Sequence, residues 1–250
     1  MKQLDLISLA GILIAFSAII IGFQLEGGQG VLWHSTAAIV VLGGSIGATL
    51  LQTPKSALKQ ALTLLPWVLW PPEYDGDQVT RRVVNWSNLV RRDGVLGLEK
   101  LAQKEPDAFT KHALELLVDG HDAVNIRRVM TMELKTRADT NLQAADVFEG
   151  MGGYSPTLGI LGAVLGLIQV MQHLDNPDLL GAGIATAFVA TVYGVGFANL
   201  ICLPAAQKLR NLIYQQEKIH TVLLDSITAI ADGDNPRYIE QRLKAYFNYA

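Results

Sequence analysis

Apolar positions gather into four long runs: Leu6 to Phe23 (LISLAGILIAFSAIIIGF), Val31 to Leu51 (VLWHSTAAIVVLGGSIGATLL), Pro156 to Gln172 (PTLGILGAVLGLIQVMQ) and Gly181 to Pro204 (GAGIATAFVATVYGVGFANLICLP). A helix rises about 1.5 Å per residue and the hydrocarbon core of a bilayer is about 30 Å thick, so roughly 20 mostly apolar residues make one crossing. Each run qualifies. The links QLEGGQG and HLDNPDLL are so short that the runs pair into two hairpins. The first run is expected to persist as a span and not as a cleavable leader, because a second span follows at once and no Ala-x-Ala-like site ends it.

Between the second and third runs the pattern changes. Apolar residues recur at helical spacing in VVNWSNLV, VLGLEKLA, HALELLV and NIRRVMTMELK, with breaks at RRDG (91–94), EPD (105–107) and DGHD (119–122). This predicts a small helical bundle over Asp77 to Glu149, its last helix running from roughly Ala123 toward the third span. Gly94 suits a left-handed helix end, which puts Arg91 and Arg92 at the C-terminus of one helix and Glu99 on the next. From Gln207 the tail is expected to be helical until DGDNP at 232–236. The stretch ALTLLPWVLW at 61–70 is too short to cross and is broken by Pro66. An interfacial helix with Trp67 and Trp70 at headgroup level fits it best, the other reading being a buried piece of the bundle.

Charge orients this layout. Segment 52–155 holds thirteen Lys and Arg, the tail from 205 holds six, Lys2 is the last, and both short links hold none. Positively charged loops stay cytoplasmic. The expected fold is an all-α integral membrane protein of the cell inner membrane with both termini inside: a transmembrane hairpin over 1–52, an interfacial segment and cytoplasmic helical domain over 53–155, a second hairpin over 156–204, and a helical cytoplasmic tail over 205–250. Composition agrees, since half of the 250 residues are hydrophobic, 17% are charged, and the mean hydropathy is +0.27. A net charge of -3 and the lack of any zinc spacing or RNP-like motif give a nucleic-acid reading little support. Cys202 stands alone inside an apolar run and reads as a small buried hydrophobe.

A path for ions across a bilayer needs an ionisable group at depth. Spans three and four contain no Asp, Glu, Lys or Arg. Asp5, His34 and His173 sit at span ends and read as interfacial, so an essential acid would have to come from a partner. What the two spans do carry is a series of small residues: Gly159, Gly162, Ala163 and Gly166, then Gly183, Ala187, Ala190, Thr191, Gly194 and Gly196. In lipid such faces imply packing against other helices. By the commoner behaviour of these residues, Thr191 back-bonds to its own helix, and Pro156 and Pro204 are helix-end or kink residues.

PTLGILG at 156–162 and AFVATVYG at 187–194, with Pro204 ten residues later, resemble the third- and fourth-span signatures of the MotA/PomA flagellar stator family, and the likeness of layout covers the whole chain. Within the family the MotC-type paralogue is the nearest pattern. Gly196 departs from it, occupying a position usually filled by a larger apolar residue. The resemblance implies that Pro156 and Pro204 couple ion passage to conformational change, with Ala163, Ala190 and Thr191 beside the ion pathway. It places Arg91, Arg92 and Glu99 on the charges that contact the rotor protein FliG, whereas residue pattern alone reads them as a solvated face. It further implies a pentamer around two copies of a single-span MotB-like subunit whose aspartate binds the ion.

Sodium-type relatives carry hydroxyls at the positions of Ala163 and Ala190, so protons are the expected coupling ion and sodium the lesser alternative. No nucleotide loop and no cofactor motif is present. Two rival readings stand beside this one. An ExbB/TolQ-like energiser would drive a periplasmic or outer-membrane partner but typically has three spans, and a passive scaffold would use the small-residue faces for packing alone. An enzyme is not expected, because the spans hold no nucleophile–base pair.

Overall fold

The computed structural model describes residues 4–25, 27, 33–172 and 177–249; Lys2, most of the first link, Val31 and His173 lie outside the described residues. Among the described residues all regular structure is helical. Helix α1 (Leu6–Leu25) is followed by a second apolar helix, Ser35–Gln52, made of α2 (Ser35–Ala38), a π-helical turn (Ile39–Gly43) and α3 (Gly44–Gln52). Then come α4 (Lys55–Leu64) with a 3-10 turn (Leu65–Val68), α5 (Gly76–Asp93), a second 3-10 turn (Val95–Leu98), α6 (Glu99–Lys104) and α7 (Ala108–Val118). The long α8 (Ala123–Met171) contains the third apolar run. The fourth is α9 (Pro177–Phe197), which passes through a π-helical turn (Ala198–Cys202) into α10 (Leu203–Ala231); α11 (Pro236–Tyr249) ends the chain. Four of these helices are long and apolar enough to cross a membrane.

The contacts divide the chain into two compact units, Met1–Pro71 with Thr140–Leu212, and Pro72–Asp139 with Ile213–Ala250. Residues 53–71 and 140–155 belong to the first unit with the spans. In the first unit none of the 20 residues of α1 is buried, as expected of a helix whose neighbours are lipid or other subunits. Helix α4 buries one face, Ala57, Ala61 and Leu64, while Gln60 donates to Asn141 at 2.7 Å. Leu62, Leu65 and Trp70 stay exposed, so the 61–70 stretch keeps an apolar surface uncovered and is no core piece of the bundle.

Asp5 caps α1 by accepting from the Ile7 and Ser8 N–H groups, and its own N–H donates to the Leu69 carbonyl at 2.9 Å, which ties this stretch to the start of span one. The Lys208 ammonium bonds the same carboxylate, and this contact, with the Ser8 N–H, holds Asp5 down at about 2.

The second unit is built from capped helices around a core of Val83, Trp86, Leu98, Phe109, Ile126 and Ile227. Asp75, Asp107, Asp122 and Asn235 each accept a backbone N–H at the start of the helix they precede. Gly94, Gly120 and Gly233 end helices with φ of 74°, 82° and 79°. The RRDG, DGHD and DGDNP breaks therefore act as read, since only glycine adopts this backbone without steric cost.

Asp107 also faces His220, a buried side chain stacked on Phe109 at 4.5 Å. Burial alone would raise the Asp107 pKa, but hydrogen bonds from His220 and Thr110 outweigh it and hold the carboxyl well below the usual range. A depressed carboxylate stabilises the fold above its unfolded value and loses that contribution as pH falls through the folded one. Asp107→Ala is expected to cost about 1 kcal/mol or more of stability at neutral pH. The deficit should shrink as the medium is acidified below about pH 4, where the unfolded carboxyl takes up its proton. Thermal unfolding of wild type and variant across that range checks it.

Candidate functional site

The small residues of spans three and four form a seam. A Cβ built on Gly159 would stand 3.0 Å from the Ala190 carbonyl oxygen and 3.2 Å from Gly194 Cα; one on Gly162 would stand 3.0 Å from Ala190 Cβ, and one on Gly166 3.3 Å from Ala187 Cβ. At Gly159 the neighbouring backbone occupies the space a side chain needs, while at Gly162 and Gly166 the nearest atoms are the methyls of Ala190 and Ala187. Ala187, Ala190 and Gly194 are buried in this seam. Ala163 and Thr191 are half-buried beside it, and Gly196 has nothing within 4 Å. The stripe read from sequence thus separates into residues that join the two spans and residues left for other surfaces. Thr191 makes no hydrogen bond among the described residues, contrary to the expected back-bond.

Pro156 lies inside a helix, whereas Pro204 is the second residue of α10, which follows α9 through the π-helical turn. Pro156 sits within α8, where it removes the N–H that would bond the Gly152 carbonyl. Hydroxyls crowd this point: Ser155 donates to the Met151 carbonyl at 2.7 Å and Thr157 to that of Tyr154 at 2.7 Å. Neither hydroxyl bonds the Gly152 carbonyl itself; both bond carbonyls near it. Pro204 is exposed, one residue into α10 and directly behind the π-helical turn, where the Leu203 N–H reaches back to the Ala198 carbonyl. A turn widened by one residue relieves the clash a proline ring makes with the carbonyl four residues before it.

Residue pattern did not single out the buried polar contacts that join span two to spans three and four. Ser155 and Ser45 are both fully buried, and the single Ser155 hydroxyl proton is shared between Ser45, 2.9 Å away, and the Met151 carbonyl; Tyr154 donates to Gln52 at 2.8 Å. Ser45 and Thr49 each also donate to the carbonyl four residues earlier. The i, i+4 spacing of Ser45 and Thr49 in an apolar helix was the available signal. His34, at the start of span two, is half-buried: its Nε2 lies 3.0 Å from Thr186 Oγ1, and its N–H donates to the Tyr193 hydroxyl at 3.0 Å.

In the second unit Arg91, Arg92 and Glu99 are exposed, the arginines in the last turn of α5 and Glu99 in the first turn of α6, where helix dipoles favour these signs. Arg92 is held by both oxygens of Asp93 at 3.0 and 2.8 Å, which raises its pKa and lowers that of Asp93. Arg91 and Glu99 make no ion pair among the described residues, so of the three they present their charges free. Among the described residues no group of His, Cys, Asp and Glu could hold a metal ion.

Residues 101–221 match the MotA/TolQ/ExbB proton channel family and residues 9–92 the motility protein A N-terminal family. The chain is 35% identical to motility protein A of Bacillus subtilis over 97% of this chain and 91% of that protein. It is 28% identical to the chemotaxis protein PomA of Vibrio alginolyticus over 98% and 96%. Among solved structures, C. jejuni MotAB superposes with a TM-score of 0.91 at 30% identity over 98% of this chain and 96% of that one. The flagellar MotAB stator complex of Bacillus subtilis superposes with a TM-score of 0.84 at 34% identity over 97% and 98%. Likeness of this extent, over four apolar helices and the seam between the last two, marks a multi-pass membrane protein of a channel family and not an enzyme: the chain belongs to the motility protein A family of flagellar stator subunits.

Proposed function

We propose that this chain forms a proton channel with a MotB-like single-span partner and converts proton-motive force into torque on the flagellar rotor. The observation that carries the reading is that two spans built to pack closely on other helices hold no acid or base of the Asp, Glu, Lys or Arg kind. The ion-binding carboxylate then belongs to the partner, two copies of which sit inside a pentamer of this chain. Protonating that carboxylate removes a charge from the bilayer interior, where it costs about 2.5 to 3.5 kcal/mol on the insertion scale. Each 1.4 kcal/mol is tenfold, so this is roughly a hundredfold bias on a two-state assembly.

Pro156 and Pro204 relay that bias along α8 and α10, while Ala163, Ala190 and Thr191 flank the pathway without the hydroxyl set of a sodium site. The lysine and arginine distribution puts both termini and the second unit in the cytoplasm, where Arg91, Arg92 and Glu99 meet FliG. Within the family we read the chain as the MotC-type paralogue, which entails a second stator set in the same cell.

Co-expression with the candidate partner in motile-type cells lacking their own stators tests the function, scored as tethered-cell rotation with and without sodium. Rotation without sodium is expected; rotation only with sodium would overturn the proton assignment. A membrane-inserted complex that never rotates would favour an ExbB/TolQ-like energiser. Glu99→Lys is expected to lower torque about tenfold at low stator expression, because a like charge placed opposite a partner's repels what the native charge attracts. Proton flux should stay intact, and normal swimming by that variant would remove Glu99 from the rotor contact.

A further inference from the structure

We propose that a cavity lined by spans two, three and four is a hydrated proton-accepting site whose base is His34, on the outer side of the channel; that placement rests on the orientation proposed above. The cavity measures about 470 Å³ and is walled by His34 and Thr36 from span two, Gln169 from span three and Thr186 from α9, with Gly162 and Gly166 giving room. Polar walls hold water where purely apolar ones stay dry. The inner end closes where Gly162 meets Ala190, next to Ala163, at the level assigned to the ion pathway. Water here would therefore reach the point at which the pathway begins.

His34 is the one nitrogen base in the four apolar runs. Thr186 engages Nε2, while Nδ1 is buried with no hydrogen-bond partner among the described residues. In one tautomer Nδ1 carries a proton it cannot donate, and in the other a lone pair that nothing fills. Buried polar atoms are rarely left so, and those that are call for a function or a water. The step balances as a relay. Hydronium in the cavity gives its proton to the Thr186 hydroxyl oxygen as that hydroxyl passes its own proton to Nε2, leaving water; the imidazolium then releases its Nδ1 proton to the next acceptor inward, and a ring flip restores the start. Among the described residues Tyr193, on α9, is the only other titratable group facing His34; Thr36, Gln169 and Thr186 stay neutral.

Two measurements on the intact complex in cells test this. With Cys202→Ala as background, Gln169→Cys should react with a membrane-impermeant thiol reagent from outside about tenfold faster than Ile168→Cys on the apolar surface. The thiolate is the nucleophile, and each unit by which apolar surroundings raise a thiol's pKa costs tenfold in its population. Equal rates, or reaction only from the cytoplasmic side, overturn the proposal. His34→Gln, which still reaches Thr186 but carries no proton, should flatten the dependence of rotation speed on outside pH at constant proton-motive force. A profile identical to wild type overturns the relay. Labelling needs no rotation, so a dry cavity sinks this inference and leaves the stator reading intact, whereas labelling at Gln169→Cys together with a wild-type complex that never rotates does the reverse.

Discussion

Gly194→Leu is expected to abolish the assembled membrane unit and all rotation with it. A Cβ at this position runs into the Ser155 carbonyl oxygen and stands 3.0 Å from Gly159 Cα. Both obstacles are backbone, so no rotamer change makes space. Overpacking a core ordinarily costs about 1 to 3 kcal/mol because side chains give way. Here whole helices must separate, and the Ser155–Ser45 hydrogen bond on the far side of the same turn goes with them. Gly196→Leu is the control, since nothing lies within 4 Å of a Cβ there. It should leave the subunit fold intact. The yield of monodisperse complex in detergent, followed by swimming assays, separates the two. A rotating Gly194→Leu motor would mean that spans three and four are not joined along this seam.

Pro156→Ala should make the protein more heat-stable and the motor far slower. Alanine restores the N–H that the Gly152 carbonyl lacks and removes a ring that clashes with it, a change worth up to about 3 kcal/mol in a helix interior. Added stability concentrated in one state of a two-state element is a bias of about a hundredfold against the other. If the step at each proton transfer bends α8 at this point, rotation falls by at least about tenfold while the complex still assembles. Thermal unfolding in detergent and tethered-cell speed are the two readouts. Unchanged speed with raised stability would show that Pro156 is a passenger in the helix.

Lys208 and Arg210 show how the segment behind Pro204 is held. Arg210 pairs with Glu149 and with Asp146 at 2.5 Å, which raises its pKa and lowers that of Glu149, while Lys208 holds Asp5. None of these partners is close in sequence, so pattern reading could not pair them. Span positions and helix breaks were legible because each depends on a few adjacent residues: an apolar run of fixed length, or a Gly after a helix. The single helix through Pro156 was not, because a proline's local preference is to end a helix, and only the packing around it decides otherwise.

The candidate site divides in the same way. Glycine and alanine spacing in spans three and four foretold close packing, yet not which of those residues would face each other. Gly159, Gly162 and Gly166 met Ala190, Gly194 and Ala187, whereas Ala163 and Thr191 were left beside the seam and Gly196 open. The partner of His34 was not legible, since a lone histidine at a span end carries no local sign of a threonine 152 residues away.

By itself the sequence determined that this is a four-span helical membrane protein with no acid of its own in the third and fourth spans, because hydrophobic length and charge bias are local sums that need no partner. Tertiary structure alone decided the seam, the Ser45–Ser155 and His34–Thr186 contacts and the cavity between three spans, because each depends on which faces of distant helices meet, and that is set by packing of the whole chain.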